Sequence, residues 1–133
     1  MLFGKVDHVG YVVDDLDGAR AFLTGVLGFV VDREVSVPGR VKAVILSQGG
    51  NSIELMDIAE ARAAGVAPEA LPRDHVALEV EDLDDAVAQL RAAGVETTRP
   101  EASSSGSTRS YFTKPETTYG IAYQLFERQP VSD

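Results

Sequence analysis

The sequence predicts an α+β fold made of two tandem βαβββ modules, and three observations carry that reading. Residues 7–23, DHVGYVVDDLDGARAFL, and residues 74–90, DHVALEVEDLDDAVAQL, align without a gap and agree at ten of seventeen positions. The only two histidines of the chain, His8 and His75, fall at equivalent places in the two copies. Each copy reads as a strand and a helix, and three further strands follow it. At 133 residues the chain is expected to be a single domain 1–133. Module one is placed at 1–57, a connector at 58–72, module two at 73–127 and a frayed tail at 128–133.

The elements follow in order. Residues 6–13 are rich in β-branched side chains and read as a strand. Asp14 and Asp15 offer helix caps, and Leu16, Ala19, Leu23 and Leu27 form one apolar stripe, so a helix is expected to run to about Leu27. Gly28 is its expected stop. Residues 29–35, 41–47 and 52–56 read as strands, separated by turns at 36–39 and 49–51. The alanine-rich stretch 57–72 reads as a short helix and connector. The second module repeats the order, with a strand at 74–80, a helix over about 83–93 and Gly94 as its stop. Strands are expected near 95–98, at 108–113 and at 121–126, and the polar run from Pro100 to Ser107 as a flexible loop or lid.

Composition narrows the classes of function. A net charge of −9 and a pI near 4.6 argue against nucleic acid or an anionic membrane as partner. No run of about 18 apolar residues suggests a membrane span, and the start MLFGKVDH carries no secretory pattern. The absence of cysteine excludes disulfides and thiolate chemistry and fits a cytoplasmic protein.

The chemistry is expected where the repeat brings polar groups back. The strand Ser52-Ile53-Glu54-Leu55-Met56 closes module one, and Ala122-Tyr123-Gln124-Leu125-Phe126 closes module two, which pairs Glu54 with Gln124. A glutamate among apolar strand residues calls for a counter-charge or a metal. His8, Glu54, His75 and Gln124 together make an N2O2 donor set suited to one divalent ion, Zn, Co, Ni, Mn or Fe. Glu54 and Glu79, the latter on the strand face of His75, are the candidate proton-transfer groups. Arg40, Lys42, Arg109 and Lys114 are the candidate contacts to an anionic substrate.

These residues resemble the vicinal-oxygen-chelate, or glyoxalase-fold, superfamily over essentially the whole chain. The opening VDHVGYVVDDLDGARAFLTGVLGF, the second start DHVALEVEDLDDAVAQLRAAGV and the closing FTKPETTYGIAYQLFE are most similar to methylmalonyl-CoA epimerases. The resemblance implies an eight-stranded, cup-shaped mixed sheet around one divalent metal, held by His8, Glu54, His75 and Gln124. It implies an isomerase or epimerase that stabilises an enolate while a proton moves next to a carbonyl. The substrate would be a small carbonyl compound, with an acyl-CoA one candidate, and the protein a homodimer. A glyoxalase-I-like lyase and a non-catalytic small-molecule-binding resistance protein are the alternatives on this fold. The epimerases typically carry glutamine in the first module and glutamate in the second; here the two are exchanged, which leaves Glu54 as the one carboxylate among the four.

Overall fold

The computed structural model describes residues 3–37 and 41–128. Its first module runs β1 (Phe3–Val12), α1 (Leu16–Gly25), β2 (Val30–Val37), β3 (Val41–Gln48) and β4 (Asn51–Asp57). A short helix α2 (Ala59–Ala63) and a 3-10 turn (Pro68–Ala70) lead into the second module. That module runs β5 (His75–Val80), α3 (Leu83–Ala92), β6 (Ser103–Ser105), β7 (Thr108–Phe112) and β8 (Tyr123–Arg128). The strand order is β2-β3-β4-β1-β5-β8-β7-β6, an eight-stranded mixed sheet. The expected α+β class and doubled βαβββ order are both present.

The chain divides into two compact units, and the division cuts through β1. Residues 8–74 form one unit, and residues from His75 onward form the other together with the start of β1 as far as Asp7. The chain therefore passes between units at the Asp7–His8 and Asp74–His75 peptide bonds, so each histidine is the first residue after a crossing.

In the unit of residues 8–74, β1 and β4 pair in parallel, while β2–β3 and β3–β4 are antiparallel. Val44, Leu46 and Leu55 alternate onto the face that α1 covers with Leu16, Ala19 and Leu23, and Leu46 is wholly buried. Helix α1 starts where Asp15 accepts a hydrogen bond from the Gly18 N–H (2.9 Å). It ends at Gly25, before the expected Leu27. Gly28, in the left-handed region at φ 81°, turns the chain so that the Phe29 N–H returns to the Leu23 carbonyl (2.9 Å).

The other unit repeats this logic. β5 and β8 pair in parallel, with β7–β8 and β6–β7 antiparallel. Val80, Leu83, Ala86, Val87, Tyr111 and Leu125 form its core, with Phe3 packed against it. Asp82 caps α3 through the Asp85 N–H (3.0 Å), the counterpart of Asp15.

Three expectations for this unit need correction. The strand expected near 95–98 is reduced to one isolated bridge, Thr97 to Thr113. The third strand of the module lies instead inside the serine run read as a lid. Gly106 at φ 59° sits in a two-residue turn joining Ser105 and Thr108, which face each other in the β6–β7 hairpin. Arg128, placed at the start of the expected tail, belongs to β8; the rest of that expectation, residues 129–133, lies outside the described residues. No helix among the described residues is long and apolar enough to cross a membrane.

Candidate functional site

Strand register decides which side chains share a face. In the β1–β4 ladder Glu54 stands opposite Gly10, and His8 lies two residues before Gly10 on the same face. In the β5–β8 ladder Gln124 stands opposite Ala77, and His75 lies two residues before Ala77. The offset is identical in the two modules. The alignment of Glu54 with Gln124 therefore has a structural basis, independent of residue likeness. This face lies opposite the helices: Glu54 alternates with the core residue Leu55, and Gln124 with the core residue Leu125.

The residue opposite each carbonyl-bearing side chain is small. Gly10 has no side chain and Ala77 only a methyl, so Glu54 and Gln124 have room to lean toward the histidine of their own module. A ring nitrogen of His8 and a carboxylate oxygen of Glu54 lie within 4.8 Å of each other. One ion with bonds of about 2.1 Å bridges such a gap after small side-chain movement. An imidazole beside a carboxylate is also the right chemistry for a borderline divalent metal. His75 is buried, and Phe112 meets its ring edge-on, with centroids 5.5 Å apart and planes at 87°. Phe112 thus packs against the edge of that imidazole, a contact that its place at the start of the closing FTKPETTYG segment did not reveal.

On the same face, Glu54 stands opposite Ile45 on its β3 side, and Met56 stands opposite Ala43. Ala43 and Met56 are buried, so Glu54 is flanked by apolar groups. The next strand contributes differently. The β2–β3 register shifts between Val31 and Arg33, a β-bulge at Asp32. The Asp32 carboxylate accepts a hydrogen bond from the Ser47 hydroxyl (2.8 Å), and Arg33 stands opposite Ile45.

Two of the four expected anion contacts, Lys42 and Arg109, are turned toward the helices. Lys42 alternates with Val44 onto the helix-covered face, where its ammonium meets Glu60 of α2 at 2.9 Å. That hydrogen bond, and then the charge of Glu60, raise the Lys42 pKa above 10.5. Arg109 also faces the helices, bridging Asp84 of α3 (3.2 Å) and Glu127 of β8 (2.8 Å). Its pKa is raised by those two hydrogen bonds, Asp84 first. Lys114 lies 3.9 Å from Glu96, and Arg40 is outside the described residues. Lys42 and Arg109 thus serve as structural cations, because alternation turns them toward helix carboxylates.

Glu79 does share a face with His75, but its carboxylate hydrogen-bonds the Arg128 guanidinium, which also lies 3.6 Å from Asp7. That engagement makes it a counter-ion within its own unit and leaves Glu54 as the stronger proton-transfer candidate.

Comparison with known proteins agrees with this architecture. Residues 7–112 match the profile of the Glyoxalase/Bleomycin resistance protein/Dioxygenase superfamily. The uncharacterized protein YwkD of Bacillus subtilis is 31% identical over 99 residues, covering 73% of this chain and 77% of that protein. The mitochondrial methylmalonyl-CoA epimerase of Bos taurus is 33% identical over 93 residues, 66% of this chain but only 53% of that enzyme. Among solved structures, the methylmalonyl-CoA epimerase of Mycobacterium tuberculosis superposes with a TM-score of 0.76 and 26% identity, covering 97% of this chain and 91% of that one. A match spanning most of the sequence, on a doubled βαβββ order with matching strand offsets, places this chain in the Glyoxalase/Bleomycin resistance protein/Dioxygenase superfamily.

Proposed function

We propose that this protein is a divalent-metal-dependent isomerase or epimerase that moves a proton on the carbon next to a carbonyl, with acyl-CoA thioesters as the first substrates to test. The observation that carries the reading is the shared offset of His8 to Glu54 and His75 to Gln124 across their strand ladders. In this reading His8 and His75 each give a ring nitrogen to one ion, Glu54 a carboxylate oxygen and Gln124 an amide oxygen. The ion, when bound, supplies Lewis acidity toward the oxygens of a chelated carbonyl compound.

The remaining work falls to the chain. Glu54 is the one carboxylate of the four, so it is the group that takes the proton from the α-carbon and carries it to the neighbouring carbon, while inversion at the α-carbon itself would draw the returning proton from solvent on the opposite face. Glutamine has no proton-accepting carboxylate, which confines Gln124 to holding and orienting. The apolar neighbours Ala43, Ile45 and Met56 limit water beside Glu54 and so strengthen its interaction with developing charge. Resemblance to the Bos taurus and Mycobacterium tuberculosis epimerases supports the acyl-CoA class.

The test is solvent-deuterium exchange at the α-carbon of methylmalonyl-CoA, a second acyl-CoA and a hemithioacetal, using metal-loaded protein. Incorporation with at least one of them, lost in Glu54→Gln, is expected. Metal bound by the wild type with no exchange into any of the three would instead favour a non-catalytic binder.

A further inference from the structure

We propose that Arg33 is a substrate-contact residue that pairs with an anionic group carried by the substrate beyond its reacting carbonyl; this deepens the reading above and rests on it. One rung of the sheet runs Arg33 of β2, Ile45 of β3, Glu54 of β4 and Gly10 of β1, each opposite the next. Cross-strand partners share a face, so Arg33 emerges on the face of Glu54, two strands away, or roughly 10 Å between Cα atoms. An arginine side chain is long enough to lean across much of that span, over the lower Ile45.

The bulge is what brings it there. With unbroken alternation, Arg33 would follow Val31 onto the helix-covered face, where Val31 packs against the core. The extra residue at Asp32 reverses the parity, so that Glu34 takes the helix side and meets Arg20 of α1, while Arg33 takes the other. Bulges beside functional sites characteristically re-aim a side chain in this way. Asp32 is occupied by the Ser47 hydroxyl. Among the described residues Arg33 makes no ion pair, in contrast to Arg20 and Lys42 of the same unit.

Charge gives the contact its significance. In a chain of net charge −9, an anionic substrate meets a repulsive field, and a cation on the site face supplies local attraction. Arginine further offers a planar fork matched to carboxylate or phosphate oxygens. Selection for such a group, and against neutral analogues of the same length, follows.

The experiment uses the full chain loaded with metal and two probes, α-ketoglutarate and α-ketovalerate. They share a chelating head and a chain length, and differ in the terminal carboxylate. Calorimetry should give the wild type a preference of about tenfold for α-ketoglutarate, the scale of one charge-assisted contact. Arg33→Met should bring the ratio to about one, and Arg33→Lys should restore part of it, with α-ketovalerate affinity and metal content unchanged. A wild-type ratio of one, or a preference that survives Arg33→Met, overturns the assignment of Arg33. Failure of both acids to bind metal-loaded wild type strikes instead at the chelating site, and takes the Arg33 proposal with it.

Discussion

His8 and Glu54, far apart in the sequence, present a ring nitrogen and a carboxylate oxygen within 4.8 Å of each other on one sheet face. The parallel β1–β4 ladder enforces this, since Glu54 can only stand opposite Gly10 while His8 stays two residues behind. Glu54→Ala and His8→Ala should each lower divalent-metal affinity by more than about tenfold. Elemental analysis after loading and desalting reads the outcome; full metal occupancy in both variants would refute the site.

The small residues opposite Glu54 and Gln124 give a subtler test. Gly10→Val and Ala77→Val leave all four donor groups intact but add bulk directly opposite Glu54 or Gln124 in the strand ladders. Each variant should bind metal more weakly than wild type while retaining its far-ultraviolet circular dichroism. Unchanged affinity in a folded Gly10→Val protein would show that the small residue opposite Glu54 is unnecessary.

Lys42 and Arg109 should behave as structural cations. Lys42→Met and Arg109→Met are expected to lower the thermal midpoint and leave binding of α-ketoglutarate as it was. The Lys42 contribution has a defined pH sense. Glu60 raises the folded-state pKa of Lys42, so the stabilisation is fully present below the unfolded-state value near 10.5. It disappears as pH climbs through the raised folded value. The difference in urea midpoint between wild type and Lys42→Met should therefore be flat near neutrality and shrink above about pH 10.5.

The two modules use the same scaffold devices, and these can be weighed. Removing the caps in Asp15→Ala or Asp82→Ala should cost about 1 kcal/mol each. Truncating the wholly buried Leu46 or Leu83 to alanine should cost about 2–5 kcal/mol, through lost burial and the cavity left behind. Urea denaturation separates the classes; a core variant as mild as a cap variant would contradict the packing described.

Much of the fold was legible because duplication made it redundant. The two Asp-His-Val starts fixed the strand–helix order twice, and the caps Asp15 and Asp82 lie where repeated aspartates predict them. Tertiary partners were less legible. Alternation can place Arg109 on a face, but only the fold shows Asp84 and Glu127 waiting there. The β6 strand was hidden because serine is a loop residue by composition; the Gly106-Ser107 turn was the one local sign of a hairpin. Arg33 was missed for a related reason, since a one-residue bulge inverts every inference drawn from period two.

The division within β1 has a consequence for how this chain can be shortened. β5 neighbours β1 in the sheet, and Phe3 packs on the core of the unit that begins at His75. Gly4 lies so close to the Glu79 carbonyl that a Cβ there would collide with it. A fragment cut at the connector would keep α3 and four strands yet lose this borrowed segment, baring the β5 backbone along the apolar sequence HVALEV. Unprotected edges of that composition recruit other chains. Residues 3–7 thus cover an edge that would otherwise lie bare, and a deletion through them is expected to promote self-association before it touches chemistry.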